Sequence, residues 1–429
     1  MITVQVEGFF HGFKKFGEKG GFKPGLERVR YMLDALGGPD KELNIFHVGG
    51  TNGKGSTISF LNSIYSAAGY STGTYISPPL SDFRERITCN GHPIGEEELE
   101  SVVERLEPVV KEINPSFFEV VTVAALVYFQ EMAPDIVLLE VGLGGRLDAT
   151  NAVDSPLASI ITSIGLEHTS ILGETLSEIA SEKAGIIRKG VPVITGVKGK
   201  RALAVIRKRA REKSSKLIEV DANCSYEIIE SDLGGQRIRM ETDFFQGVVD
   251  CGLAGEHQAR NAALALVTVG ELNDKFQVAP AALKRGMAEV VWPGRMEVVR
   301  KNPAVILDGA HNPRAAGFLC DHIRRHLSPE QYIRIIIGVL RDKDFSGILG
   351  ALEGLTDEHE VEFILTASSS SRAADPQELV ESVQNRGLRY RVIPDLKEAI
   401  ERTLIYTGNK GIIIITGSLY TVGEARKLL

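Results

Sequence analysis

Short, nearly uninterrupted apolar runs recur along the chain, each closed by glycine, proline or a polar residue. They are LNIFHV (43–48), DIVLLEVG (135–142), LASIITSIG (157–165), VPVITG (191–196), AVILDG (304–309), YIRIIIGVL (332–340), VEFILTAS (361–368) and GIIIITGS (411–418). Each is too short for a stable helix and apolar on both parities, so each suits a strand buried on both faces. Helices must then cover the sheet. EEELESVVERLEPVVKEI (96–113) has the required amphipathic spacing, and so does DPQELVESVQNRG (375–387), which ends on a glycine. The chain therefore reads as α/β with mostly parallel sheet. Residues 217–253 alternate more and contain a GG turn, which predicts antiparallel strands added to the first domain. VVWPGRMEVV (290–299) sets Pro and Gly between a helix and a strand and is the best domain linker.

The 429 residues suffice for two domains. A net charge of −7 argues against nucleic acid as the main partner, because phosphate contacts demand a basic face. Cys89, Cys224, Cys251 and Cys320 form no C-x-x-C pair, so neither a zinc ribbon nor a disulfide framework is suggested. The first fifteen residues lack a leader's apolar core, and no run approaches the roughly 20 residues of a membrane span. A cytoplasmic protein without a membrane partner is expected. KGKRALAVIRKRAREKSSK (198–216) is locally basic: either a solvated helix face or a landing strip for a polyanionic substrate.

HVGGTNGKGST (47–57) joins the first strand to TISFLNSIYSAAG (57–69), a segment with helical spacing. A glycine-rich turn opening a helix suits an anion, since free backbone N–H groups and the helix dipole point at it. Lys54 adds a charge that can follow the β- and γ-phosphates, and Ser56 and Thr57 offer hydroxyls to phosphate or magnesium. The common spacing G-x-x-x-x-G-K-[ST] is broken, however. Val48 stands six before Lys54, and Gly55 follows the lysine.

Further candidates cluster at strand ends, where open α/β sheets bind ligands. DIVLLEVGLGGRLDATN (135–151) ends a strand in Glu140, followed by Arg146, Asp148 and Asn151; Glu140 could hold Mg²⁺ or sit in an ion pair. His168 follows another strand, as a ligand or a structural histidine. Lys183, before the apolar AGII, points inward or into solvent. Asn261 lies on a helix, Arg295 in the linker, and Asp308 and His311 at a strand end before a helix that Pro313 can open; these could also be caps and turns.

GTNGKGS (50–56), ISP (76–78) with ERI (85–87), EVGLGGRLDATN (140–151), LEHTSILGETLSEIASEKAGI (166–186), HQARN (257–261), GRME (294–297), LDGAHNP (307–313) and ITGSLYTVGEA (415–425) occur in this order. From about residue 20 to the C-terminus the chain resembles the folylpolyglutamate synthase and dihydrofolate synthase family, a branch of the Mur-type ATP-dependent amide ligases. The loop thus resembles a phosphate loop of the Mur kind, in which glycine follows the lysine. Two positions depart from the family pattern: Pro79 stands where histidine is frequent, and Glu167 where aspartate is usual.

The resemblance implies a P-loop α/β ATP-binding domain over 1–296 and a smaller Rossmann-like glutamate-ligase domain over 297–429. It implies that Asn52, Gly53, Lys54, Gly55 and Ser56 hold the ATP phosphates, with Asn261, Arg295, Asp308 and His311 completing the ATP site. Ser77 and Glu140 would bind a first Mg²⁺ and His168 a second, with Lys183 carbamylated by CO₂ to help hold it. Lys54, Glu140, His168 and Lys183 would form the catalytic set. Arg146, Leu147, Asp148 and Ala149 would lie against the substrate. The implied reaction adds L-glutamate to folate or dihydropteroate, in a monomer, through an acyl phosphate. The alternatives are a Mur-type ligase for another carboxylate and a nonenzymatic ATP-binding switch.

Overall fold

The computed structural model describes residues 8–10, 12–14, 24–328, 331–408 and 411–429. Most of the N-terminal segment on which the leader expectation rests lies outside them. The chain divides into two compact units that interleave along the sequence. One comprises 1–227, 239–249 and 260–290; the other comprises 228–238, 250–259 and 291–429.

All eight apolar runs form strands. The first unit is built on an eight-stranded sheet of β1 (Ile45–Gly49), β2 (Thr72–Tyr75), β3 (Ile87–Cys89), β4 (His92–Pro93), β5 (Ile136–Glu140), β6 (Ala158–Ile161), β7 (Val193–Thr195) and β8 (Leu217–Glu219). Their order is β4-β3-β2-β5-β1-β6-β7-β8. β1 runs parallel to both β5 and β6, with Val48 beside Glu140 and Gly49 beside Ile161. Only β3 and β4 run antiparallel to their neighbours. The chain builds β2 and β5 on one side of β1 and then crosses to β6 on the other. The carboxyl end of β1 is therefore a topological switch point, where such sheets open a crevice for ligands.

β2 is not an apolar run: its sequence is TGTY. Its smallness has a cause: a Cβ on Gly73 would stand 2.8 Å from the Phe129 ring. Phe129 belongs to the helix Phe117–Met132, whose residues are buried nearly all round. Such a helix is core rather than surface. Its capping box pairs Ser116 with Glu119, and Glu119 also takes Arg28 Nε and a terminal nitrogen at 3.0 and 2.8 Å.

The alternating stretch at 217–253 divides in two. Leu217–Glu219 adds a parallel strand beside β7. β9 (Ser225–Ser231), β10 (Gln236–Glu241) and β11 (Gln246–Cys251) form a separate three-stranded sheet, ordered β11-β10-β9, with tight turns at 232–235 and 242–245. The helix Lys200–Glu212 crosses back between β7 and this piece, so the piece continues the parallel pattern. DPQELVESVQNRG is likewise split, into a 3-10 turn Pro376–Leu379 and a helix Val380–Gln384.

The second unit holds β12 (Glu297–Lys301), β13 (Ala304–Leu307), β14 (Ile333–Ile337), β15 (Val361–Ala367), β16 (Tyr390–Asp395) and β17 (Ile412–Thr416). Their order is β12-β13-β17-β14-β15-β16, parallel except for the edge strand β12. Among the described residues no helix is long and apolar enough to cross a membrane.

Candidate active site

The glycine-rich loop leaves β1 at Gly49 and enters the helix Lys54–Ala67. Its neighbours across the switch point fix its shape. Thr51 N donates to Ser163 O at 2.8 Å, and Asn52 N donates to Ser163 Oγ at 3.0 Å. Thr162 Oγ1 and Ser163 Oγ both donate to Asn52 O, at 2.7 and 2.9 Å. Glycine is required twice. At Gly50 (φ +147°) a Cβ would overlap Thr162 Oγ1. At Gly53 (φ +88°) it would stand 2.5 Å from Asn261 Oδ1. The second contact also brings Asn261, from the helix Glu256–Leu272, to the loop's edge. Ser56 is buried in the first turn of the loop helix, and Asn52, Gly53, Lys54 and Gly55 are half-buried.

Three charged side chains converge near the carbonyl of Gly50. Lys54 Nζ donates to Gly50 O at 3.2 Å and lies 3.9 Å from Glu140 Oε1. Lys183 Nζ, at the end of the helix Leu176–Lys183, donates to the same carbonyl at 2.9 Å and to Glu167 Oε1 at 2.6 Å. Glu140 ends β5 with 5% exposure, and its Oε2 accepts from Ser77 N at 2.9 Å. Lys183 is only 2% exposed. Burial depresses its ammonium below the usual lysine range, against the attraction of Glu167 and with the repulsion of Lys54. Glu167 is itself pushed up by burial, but Lys183 and Lys54 outweigh that and hold it below the usual carboxylate range. Glu167 thus does more than replace an aspartate before His168: its extra methylene accompanies a direct grip on Lys183. His168 is exposed, with φ +45°, at the start of the short helix Thr169–Leu172.

The segment after β5 folds back over the helix carrying Lys183. Arg146 N donates to Glu182 O at 2.8 Å, and its guanidinium pairs with Glu182 Oε1 at 3.0 Å while 54% of the side chain stays exposed. Leu147 is half-buried, and Ala149 and Asp148 are buried. Burial pushes the Asp148 carboxyl above its ordinary range, although hydrogen bonds from Thr150 and Leu143 favour its charged form.

In the second unit, Asp308 follows β13. Its carboxylate accepts from Met296 N at 2.9 Å and Ala310 N at 3.0 Å. Burial raises its pKa, opposed by the nearby Arg295 guanidinium. A Cβ on Gly309 would meet Leu419 and come within 3.3 Å of an Arg295 nitrogen. His311 Nδ1 hydrogen-bonds Gly309 O at 2.9 Å. The expected residues therefore form two groups: Asn52 to Ser56, Ser77, Glu140, Arg146 to Ala149, His168, Lys183 and Asn261 in the first unit, and Arg295, Asp308 and His311 in the second. Thr162, Ser163 and Glu182 were not among the candidates, and Glu167 stood out only as a departure from the family pattern. Thr162 and Ser163 could have been found from their place directly after β6.

Among the described residues, no three His, Cys, Asp or Glu side chains gather into a metal cage. Magnesium needs none, because it keeps waters and takes one or two carboxylates together with substrate phosphates. A buried strand-end carboxylate beside a phosphate-type loop and a serine, as at Glu140 and Ser77, fits that requirement.

A Mur-type α/β fold, a glycine-rich loop at the switch point and this cationic and acidic surround define an ATP-dependent ligase. The Mur ligase middle domain matches residues 48–269, and the Mur ligase glutamate ligase domain matches 294–419. The dihydrofolate synthase/folylpolyglutamate synthase of Bacillus subtilis is 36% identical, over 98% of this chain and 97% of its own length. The folylpolyglutamate synthase of Mycobacterium tuberculosis, solved with ADP and AMPPCP, superposes with a TM-score of 0.88 at 30% identity, covering 100% of this chain and 98% of its own. The bifunctional folylpolyglutamate synthase/dihydrofolate synthase of Yersinia pestis, solved with AMPPNP and a Mn ion, gives 0.84 at 29% identity, covering 99% and 97%. The chain belongs to the dihydrofolate synthase/folylpolyglutamate synthase family of Mur ligases.

Proposed function

We propose that this protein joins the amine of L-glutamate to the carboxylate of dihydropteroate, of reduced folates, or of both, at the expense of ATP, and works as a monomer. The observation that carries the reading is the convergence of Lys54, Lys183 and Glu140 around the glycine-rich loop at the end of β1. A carboxylate oxygen of the substrate attacks the γ-phosphorus and ADP leaves. The acyl phosphate is then attacked at its carbonyl by the glutamate amine, which loses a proton as phosphate departs.

In this reading Asn52, Gly53, Lys54, Gly55 and Ser56 hold the phosphates, through the backbone N–H groups that follow Asn52, and Lys54 neutralises charge that grows during transfer. Ser77 and Glu140 would hold one Mg²⁺ and His168 a second, and the metal would supply charge neutralisation between the phosphates. Lys183 would be carbamylated in the active protein: its amine adds to CO₂ with loss of a proton, and the new carboxylate would help hold the second Mg²⁺. The depressed lysine pKa supports this, because only the neutral amine reacts. Arg146, Leu147, Asp148 and Ala149 lie along the pterin-bearing substrate. Asn261, Arg295, Asp308 and His311 complete the nucleotide site. The work is divided between an ATP-binding domain over 1–296 and a glutamate-ligase domain over 297–429. Water must be kept from the acyl phosphate, or ligation fails to hydrolysis.

The test is purified protein with ATP, Mg²⁺, glutamate and each pterin carboxylate in turn, reading phosphate release and product mass, with and without CO₂. A product one glutamate heavier, formed in a CO₂-dependent way, is expected. Turnover only with a carboxylate that carries no pterin would overturn the substrate assignment. Turnover indifferent to bicarbonate would return Lys183 to its pair with Glu167.

A further inference from the structure

The ligase chemistry described above gives no task to His47, a histidine buried beside the glycine-rich loop. His47 lies in β1, three residues before Gly50, with 1% exposure. Its Nε2 is 2.8 Å from Thr150 Oγ1, and Thr150 Oγ1 is 2.5 Å from Asp148 Oδ1. Asp148 Oδ1 also accepts from Thr150 N at 3.1 Å, and Oδ2 accepts from Leu143 N at 2.8 Å. A carboxylate receiving these donors can only accept. Thr150 must therefore spend its single proton on Asp148, and the remaining hydrogen bond must come from His47. That fixes the imidazole as the tautomer with its proton on Nε2. The ring is neutral across the physiological range, because burial, and secondarily Arg188, lowers its pKa to about 3.

We propose that His47 is a positioning residue for the substrate. Through Thr150 and Asp148 it holds the backbone at Leu143, and with it the shape of the glycine-rich turn 142–147 that presents Arg146 and Leu147. The connection runs from the nucleotide-binding strand to the substrate-facing segment without reaching the surface. It rests on the substrate reading given above for Arg146 to Ala149. Two features favour positioning over mere filling of the core. The chain of hydrogen bonds has one direction, which an apolar residue of similar size could not impose. Asp148 has bonded donors on both oxygens inside its own loop, so its contribution is to shape that loop rather than to reach outward.

The experiment compares wild type with Thr150→Val, Thr150→Ser, His47→Leu and His47→Gln. Thr150→Val is nearly isosteric and removes only the relay hydroxyl; serine restores it, and glutamine returns a donor near the place of Nε2. KM for the pterin carboxylate is expected to rise about tenfold in Thr150→Val and His47→Leu. KM for ATP should stay within about twofold, and the serine and glutamine variants should recover most of the loss. Combining Thr150→Val with His47→Leu should be little worse than either alone, because they cut one chain. Hydrogen exchange gives a readout without any substrate: protection of the Leu143 amide should fall several-fold in Thr150→Val while that of β5 is kept. Unchanged Leu143 protection together with an unchanged carboxylate KM in folded Thr150→Val overturns the proposal. Carboxylate and ATP KM rising together, without recovery in the serine variant, does so as well. Wild-type protein that ligates no pterin carboxylate while Leu143 protection falls as expected would instead count against the substrate reading alone.

Discussion

Replacing Gly50 with alanine should damage this protein more than its single methyl group suggests. Gly50 has φ +147°, a conformation that side-chain-bearing residues rarely adopt. Holding alanine there costs on the order of 1–3 kcal/mol. The new Cβ would overlap Thr162 Oγ1 and press the backbone nitrogen of Ser163 at 3.1 Å. Thr162 must then rotate and give up its 2.7 Å bond to Asn52 O, a loss of about 1 kcal/mol. Together these reach about 2–4 kcal/mol, a sizeable part of the 5–15 kcal/mol typical of a domain. The Gly50 carbonyl is also the shared acceptor for Lys54 and Lys183, so its displacement moves both ammonium groups. The expected result is a melting temperature lowered by roughly 4–16 °C and a weakened affinity for a non-hydrolysable ATP analogue, measured by calorimetry. Thr162→Ala alone should cost about 1 kcal/mol through the lost hydrogen bond. In the double variant the overlapping hydroxyl is gone, so the two costs should sum to less than their parts. Strict additivity, or a Gly50→Ala protein that melts and binds nucleotide like wild type, would refute the packing argument.

Three further outcomes follow from the same geometry. Lys54→Ala should lower ligation at least about a hundredfold, as removal of a transition-state donor does, while the melting temperature moves little, because Lys54 hydrogen-bonds carbonyls of its own loop and meets Glu140 only at 3.9 Å; near-normal turnover would remove it from the phosphate site. Glu140→Gln keeps an acceptor for Ser77 N but loses a charge, so the Mg²⁺ concentration for half-maximal turnover should rise while thermal stability is nearly kept; an unchanged Mg²⁺ titration would make Glu140 purely structural. The folded-state pKa of His47 is depressed, so its contribution to stability is fully present above the unfolded value of about 6.5 and is lost as pH falls toward about 3. Denaturant unfolding between pH 7 and 4 should therefore show stability falling with acid, and His47→Gln should flatten that slope; equal slopes would show that other groups control acid unfolding.

The sequence determined most of the sheet and the place of its chemistry. Runs such as DIVLLEVG and GIIIITGS become strands wherever they fall, because apolar residues on both parities can be buried only inside a covered sheet. The phosphate loop was legible for a similar local reason: glycines, Lys54 and a following helix are neighbours along the chain. What the sequence left open depends on which strands become neighbours. TGTY is an interior strand because it pairs with β5 and β3, and its Gly73 leaves room for Phe129. Lys183 could have pointed into solvent, and the fold instead buries it on Gly50 O and Glu167, residues 133 and 16 positions away. Asn261 meets Gly53 across more than two hundred residues, and His47 meets Thr150 across 103. Periodicity and breakers act over a few residues and are written in the chain. The ion pairs and hydrogen bonds that tune the site act between segments that only the strand order β2-β5-β1-β6 brings together.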